Sequence, residues 1–150
     1  MSRIQLALNV SDLDQAVAFY AKLFATAPAK VRPGYANFAV EEPPLKLVLI
    51  EGRGEPGSLN HLGVEVFSAD DVTAAQARLN EEGLDSVAES GACCYAVQDK
   101  VWVTAPDGEP WEVYAVLADA EMPDGQLREE AGGDPQCCAP SEAVTAATCC

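Results

Sequence analysis

A period of two residues organises the beginning of the chain. In residues 4–10 every second residue is aliphatic, and the residues between them are Gln5, Ala7 and Asn9. Because neighbouring side chains in a strand point to opposite faces, this alternation predicts a half-buried strand. Gln5 and Asn9 are expected on its polar face.

A period near 3.6 residues follows. Apolar residues recur at three- and four-residue spacing from Leu13 to Phe24, which predicts a helix with one buried stripe. The sequence Ser11-x-x-Asp14 resembles a capping box and is expected to begin the helix, and Pro28 is expected to end it. Turn residues then separate three short strand candidates, which are Ala29–Arg32, Tyr35–Val40 and Leu45–Ile50. The first unit therefore reads βαβββ.

The same order repeats after a glycine-rich linker. A strand is predicted at residues 61–66, with His61, Gly63 and Glu65 on one face, and Ser68 is expected to begin a second helix that ends at Gly83. The strand candidates that follow are Leu84–Ala88, Cys94–Gln98 with Lys100–Val103, and Trp111–Leu117. The pattern is an internal repeat of about 55 residues, and it predicts an α+β fold of two tandem βαβββ modules in a curved mixed sheet.

The repeat pairs polar residues of the two units. Gln5 corresponds to His61, and Lys46 corresponds to Glu112. If the two units pack side by side, these four positions would face one cup, in which a protonated Lys46 could not coordinate a metal. The remaining amide, imidazole and carboxylate suit a divalent ion such as Fe(II), Mn(II) or Ni(II) with open positions. Alternatively, His61 is a hydrogen-bonded structural residue and Glu112 faces solvent.

All six cysteines occur in adjacent pairs. The pairs are Cys93-Cys94, Cys137-Cys138 and Cys149-Cys150. Consecutive strand residues diverge, so such pairs form poor disulfides, but paired thiolates suit a soft ion. Both thiols of the first pair could reach one arsenic atom only if the backbone bends, and Gly91-Ala92 could permit a bend. The alternative is that Cys94 is a small core residue and Cys93 is incidental.

Composition narrows the classes of partner. The chain has 150 residues, is 49% hydrophobic and carries a formal net charge of −15. That charge argues against nucleic acid and anionic membranes, which attract clustered Lys and Arg. The beginning of the chain does not read as a signal peptide, and no apolar run suits a transmembrane helix. We therefore expect a cytoplasmic protein with reduced thiols.

The periodic patterns end before the C-terminus. One domain is predicted over residues 1–117, with modules at about 1–51 and 58–117. Residues 118–150 are rich in acidic residues, Pro, Gly and Ala, and they are expected to form a disordered tail. The tail carries the auxiliary thiols Cys137, Cys138, Cys149 and Cys150.

Several strings of the sequence resemble a known family. The βαβββ repeat with Gln5, His61 and Glu112 resembles the vicinal-oxygen-chelate superfamily, which includes glyoxalase I, bleomycin-resistance proteins and extradiol dioxygenases. More narrowly, the chain resembles the organoarsenical carbon–arsenic lyases and the cadmium-induced proteins. The strings that carry this resemblance are KVRPGYANF, NFAVEEPPLKLVLIE, LNHLGVEV and CCYAVQDKVWVTAPDGEPWEVYAVLAD. It extends from about Ser2 to Met122.

The resemblance implies an Fe(II)-dependent dioxygenase. Such an enzyme would use O2 to cleave the carbon–arsenic bond of methylarsenite or of trivalent aromatic arsenicals and release arsenite. It implies Gln5, His61 and Glu112 as iron ligands, with Ni, Co, Mn or Cd as other possible occupants, and Cys93 and Cys94 as arsenic-binding thiols. A homodimer is expected only by analogy.

Two other functions stay open. The protein could bind arsenic or cadmium through its thiol pairs without turnover. A glyoxalase-type isomerase is less favoured, because Lys46 stands where a fourth metal ligand would be expected.

Overall fold

The fold contains two helices and eight strands among the residues that can be placed. The structure, a computed structural model, describes residues 2–93 and 95–120, with only the backbone at Cys93. In chain order the elements are β1 (Arg3–Val10), α1 (Leu13–Leu23), β2 (Lys30–Arg32), β3 (Tyr35–Val40), β4 (Leu45–Glu51), β5 (Leu59–Val66), α2 (Ala69–Glu81), β6 (Ser86–Cys93), β7 (Ala96–Thr104) and β8 (Pro110–Asp119). The order βαβββ occurs twice, and the predicted α+β class is confirmed.

The contacts divide the chain into two units, Met1–Glu65 and Val66–Cys150. In the first unit the strands lie in the order β2-β3-β4-β1-β5. Strand β1 runs parallel to β4 and antiparallel to β5, and the other pairs are antiparallel. Strand β1 therefore lies between the two strands that carry Lys46 and His61.

Helix α1 covers one face of the first sheet. Its residue Leu13 packs with aliphatic and aromatic side chains of β3 and β4, including Phe38, Leu47 and Leu49, which are fully buried. Burying a large apolar side chain contributes about 1.5–3 kcal/mol, so this layer anchors the unit. The alternation of the strands leaves Gln5, Asn9 and their neighbours on the opposite face.

The N-cap of helix α1 lies one residue later than predicted. Asp12 is the N-cap, and its carboxylate accepts hydrogen bonds from the backbone N–H and the side-chain amide of Gln15. The prediction of Ser11 was wrong because two overlapping motifs compete here. Asp12 also has a residue three positions on, Gln15, that bonds to it, and a charged oxygen is the stronger acceptor at a helix N-terminus.

The second unit combines α2 with the antiparallel order β8-β7-β6. Ser68 caps α2 as predicted, and its hydroxyl accepts from the backbone N–H of Asp71. Val72 and Leu79 of the helix pack on Val101 and Ala115 of the sheet. Neither helix in the described part of the chain has the length and apolar character needed to cross a membrane.

The strand that carries His61 begins earlier than predicted and contains an extra residue. Strand β5 starts at Leu59, and its pairing with β1 shifts between Ala7, which faces His61, and Leu8, which faces Leu59. Asn60 is therefore the additional residue of a β-bulge, which lets two consecutive side chains reach the same face.

Candidate functional site

Gln5 and His61 meet on the polar face of the first unit. Ala7 lies directly opposite His61, and Gly63 lies directly opposite Gln5, so only small residues separate the two polar side chains. Gln5 Nε2 is 2.9 Å from His61 Nε2, and both side chains are buried. The structure therefore brings together two of the three predicted metal ligands.

A chain of hydrogen bonds continues from the other nitrogen of His61. His61 Nδ1 lies 2.7 Å from Asn60 Oδ1, and Asn60 Nδ2 donates to Asn9 Oδ1 over 2.9 Å. Asn9 Nδ2 donates to Ser58 Oγ over 2.9 Å. Asn9 and Asn60 are buried, so these contacts satisfy polar groups that water does not reach.

The loop before β5 encloses Asn9. The backbone N–H of Asn9 donates to the carbonyl of Ser58, and the carbonyl of Asn9 accepts from the N–H of Gly57. A Cβ atom on Gly54 would lie 2.6 Å from Asn9 Nδ2, closer than side chains tolerate. Glycine at position 54 is thus required by the close approach of the loop to Asn9.

An ion-pair cluster lies on the same face, around Glu65. The carboxylate of Glu65 is paired with Arg3 and lies 3.0 Å from Lys46 Nζ. Burial alone would raise the pKa of Glu65, but the Arg3 hydrogen bond and the Lys46 charge together lower it below its ordinary value. The ammonium of Lys46 is therefore paired with Glu65.

Glu112 lies in the second unit, on the face that does not contact α2. Its Oε2 is 3.0 Å from Lys100 Nζ, and both side chains are only 3% exposed. Lys100 Nζ also lies 5.4 Å from the centre of the Trp102 ring, and Trp102 donates a hydrogen bond to Glu89. An inward carboxylate is therefore confirmed at position 112, and the alternative that it faces solvent is wrong.

Cys93, one of the two predicted arsenic-binding residues, lies where β6 and β7 meet. Cys93 is the last residue of β6 and pairs with Ala96, the first residue of β7. The chain reverses at Tyr95, which has a φ of 64°. The predicted β6, Leu84–Ala88, was too short, since the strand runs to Cys93. Cys94 and the tail residues Cys137, Cys138, Cys149 and Cys150 lie outside the described residues.

The donor chemistry of these residues fits a divalent metal. In the first unit an imidazole lies next to a buried amide, and the second unit has a buried carboxylate; these are nitrogen and oxygen groups of the kind that a borderline ion accepts as ligands. Within residues 2–93 and 95–120, no three side chains of His, Cys, Asp or Glu cluster as a metal site.

The sequence did not reveal three participants. Lys100 is buried beside Glu112, and Asn60 and Ser58 extend the contacts of His61 and Asn9. The two-residue spacing of Lys100 and Trp102 places both on one face of β7, but it does not identify their partners. Asn60 could not be assigned to this face from alternation, because the bulge reverses the orientation that its position predicts.

Known proteins resemble this chain over all or most of its length. It is 57% identical to the trivalent organoarsenical cleaving enzyme of Thermomonospora curvata, covering 100% of both chains. It is 63% identical to the cadmium-induced protein CadI of Mycobacterium tuberculosis, covering 81% of this chain and 80% of that protein.

A solved structure and a family description agree with the fold. The Mn(II)-bound glyoxalase of Novosphingobium aromaticivorans matches with a TM-score of 0.57 at 21% identity, covering 83% of this chain and 43% of that chain. The family model described as Glyoxalase/Bleomycin resistance protein/Dioxygenase superfamily matches residues 3–113. The chain therefore belongs to this superfamily, as its resemblance to the vicinal-oxygen-chelate proteins predicts.

Proposed function

We propose that the protein is an Fe(II)- and O2-dependent enzyme that cleaves the carbon–arsenic bond of trivalent organoarsenicals and releases arsenite. The substrates are methylarsenite and trivalent aromatic arsenicals. The observation that carries the proposal is the buried contact of His61 with Gln5, in a chain whose full-length relative is named for organoarsenical cleavage. The protein would act in the cytoplasm and contribute to resistance against organoarsenicals.

Gln5, His61 and Glu112 are the proposed metal ligands. His61 would bind through Nε2, and Gln5 through its amide oxygen, which requires the amide to turn over when a metal replaces the present hydrogen bond. Glu112 supplies the negative charge that a divalent ion favours. Ni, Co, Mn or Cd could occupy the same ligands. When bound, iron supplies the activation of dioxygen at its open positions.

Cys93 and Cys94 are the proposed arsenic-binding residues. Two thiols condense with a dihydroxy arsenical to form two As–S bonds and release two water molecules. This exchange fixes the substrate before its carbon–arsenic bond is attacked, so the thiols contribute proximity. The thiols at positions 137, 138, 149 and 150 are proposed as auxiliary metalloid-binding groups, and the active protein is proposed to be a homodimer.

The test separates iron, oxygen and substrate. Purified protein is loaded anaerobically with Fe(II), methylarsenite is added, and arsenic species are separated by chromatography before and after air is admitted. We expect arsenite only when both iron and oxygen are present. Arsenite formed without either of them would contradict the proposed chemistry.

Matched variants assign the residues. Glu112→Ala and Cys93→Ser are expected to abolish arsenite formation, whereas Glu89→Gln should retain most of it. Glu89 is an appropriate control because it is another carboxylate of the second unit, and glutamine preserves an acceptor for the indole N–H of Trp102. Equal losses in all three variants would indicate general damage to the fold.

A second candidate function is sequestration without turnover. The three vicinal thiol pairs and the similarity to a cadmium-induced protein favour it. It predicts that methylarsenite binds tightly but is recovered unchanged after exposure to air. In that case Cys93→Ser would weaken binding, while Glu112→Ala would leave it intact.

A further inference from the structure

The hydrogen-bond chain that ends at His61 has a fixed direction. Its outer end is the backbone carbonyl of Glu55, which accepts the hydroxyl hydrogen of Ser58 over 2.6 Å. A carbonyl oxygen can only accept, and a serine hydroxyl has one hydrogen to donate. The oxygen of Ser58 must therefore act as an acceptor toward its other neighbour, Asn9.

This constraint passes inward along the two asparagines. Asn9 must direct its NH2 group to Ser58, 2.9 Å away, which leaves its oxygen facing Asn60. Asn60 must then donate through its own NH2 group, over 2.9 Å, and present its oxygen to His61. Side-chain amides can often be turned over without changing their fit, but here the main-chain carbonyl decides both orientations.

We infer that the 54–58 loop, acting through Ser58, Asn9 and Asn60, fixes the tautomer of His61. The oxygen of Asn60 lies 2.7 Å from Nδ1 and can only accept, so Nδ1 carries the hydrogen. Nε2 then keeps its lone pair, and the Gln5 amide donates to it over 2.9 Å. The three residues are positioning residues, since none of them touches a reacting atom.

The consequence for metal binding rests on the proposed function. A metal binds the nitrogen that lacks hydrogen, so the tautomer present before binding is the one that binding requires. Substituting a residue that holds the second nitrogen of a metal-binding histidine typically lowers metal affinity about 10–100-fold, and we expect a loss of that order here. These residues also fix the orientation of the imidazole ring, because Asn60 contacts Nδ1 while Gln5 contacts Nε2.

The tautomer is directly measurable because the chain has one histidine. Metal-free protein labelled with 15N is studied by two-bond 1H–15N correlation at mildly alkaline pH. Ring nitrogens with and without hydrogen resonate far apart. We expect a single Nδ1–H form in the wild-type protein, and an Nε2–H form would overturn the inference.

Variants of Asn60 test the inner contact. Asn60→Ala removes the acceptor and is expected to yield the Nε2–H form or a mixture, whereas Asn60→Asp retains an acceptor and should keep the Nδ1–H form. Asn37→Ala is the matched control, since Asn37 is equally buried in the same unit but donates to the Tyr35 hydroxyl. An unchanged tautomer in Asn60→Ala would overturn the inference.

Ser58→Ala tests the outer end of the hydrogen-bond chain, and it replaces Asn60→Ala as the test if that variant does not fold. Without the hydroxyl, both asparagines can turn over, so we expect a mixture of tautomers; a pure Nδ1–H form would overturn the role of the loop. Co(II) titration then reports affinity, with about a 10–100-fold loss expected in Asn60→Ala. If wild-type protein binds neither Co(II) nor Fe(II), the proposed function fails, while the metal-free spectra still decide the tautomer.

Discussion

In the first unit His61 is held by neutral side chains, whereas in the second unit Glu112 is held by an ammonium group. The contacts of His61 run through amides and a hydroxyl to a main-chain carbonyl. The contact of Glu112 is a sealed ion pair with Lys100. Neither arrangement leaves the polar group to water.

The difference has an energetic meaning. A neutral hydrogen-bond chain orients its histidine without changing the charge of the site, so it remains in place when a cation arrives. An ion pair behaves differently, because the lysine compensates a buried carboxylate that a metal would otherwise compensate. If the proposed function holds, His61 is oriented for metal binding by its hydrogen bonds, whereas Glu112 is paired with a lysine whose positive charge a metal ion could replace.

The largest expected effect comes from removing that charge. Lys100→Met leaves the carboxylate of Glu112 buried without its ammonium partner, so we expect the metal-free protein to lose about 3–5 kcal/mol of unfolding free energy. Urea denaturation measures the loss. Mn(II) should restore part of it, because a bound divalent cation replaces the missing positive charge.

Lys46→Met is the matched control for this substitution. Lys46 also pairs with a glutamate at 3.0 Å, but both side chains are more exposed, and Glu65 retains its contact with Arg3. We therefore expect a loss of about 1 kcal/mol or less, with no recovery on addition of Mn(II). Equal losses in the two variants would remove the distinction between a sealed and a partly exposed pair.

A smaller effect is expected when the neutral chain is disturbed. In Gly54→Ala the new methyl group would meet Asn9 Nδ2 at 2.6 Å, and Asn9 cannot retreat without breaking its bonds to Ser58 and Asn60. We expect a loss of about 1–2 kcal/mol in thermal or urea denaturation. The same substitution in an Asn9→Ala background should be nearly neutral, and an equal loss there would place the clash elsewhere.

The smallest effect concerns pH. Glu65 has a lowered pKa in the folded protein, so its pairing with Arg3 and Lys46 stabilises the fold fully above the unfolded-state pKa. That stabilisation is lost as the pH falls below about 4.3, the ordinary value for glutamate. Urea denaturation between neutral and acidic pH should show a shallower decline for Glu65→Gln than for the wild-type protein. Parallel curves would contradict this assignment.

Periodicity predicted most of the fold because one face of each strand is apolar. Tyr35–Val40 was predicted to the residue, since turn residues bound it on both sides. The ends of β6 were not, because Glu89, Ser90 and Gly91 interrupt its hydrophobic pattern. That segment forms a strand because it pairs with β7, and such pairing cannot be read from the segment's own hydrophobic pattern.

Residues of the candidate site that correspond to each other in the repeat could be predicted from the sequence. Contacts between side chains of different strands could not. Alternation placed Gln5 on the polar face of its strand, and the repeat suggested His61 as its counterpart. Nothing in either pattern indicates that Lys100 reaches Glu112, because the register of β7 against β8 sets that distance. The link from Ser58 to His61 likewise depends on how a loop folds over Asn9.

The bulge in β5 has a consequence for transplanting the site to another scaffold. It makes the imidazole and the group that orients it consecutive residues, Asn60 and His61, so no change in loop length can separate them. A regular strand carrying the same dipeptide would direct the two side chains to opposite faces. A designer who copies Gln5 and His61 but straightens the strand would therefore lose the contact between Asn60 and His61, so the extra residue of the bulge must be copied together with them.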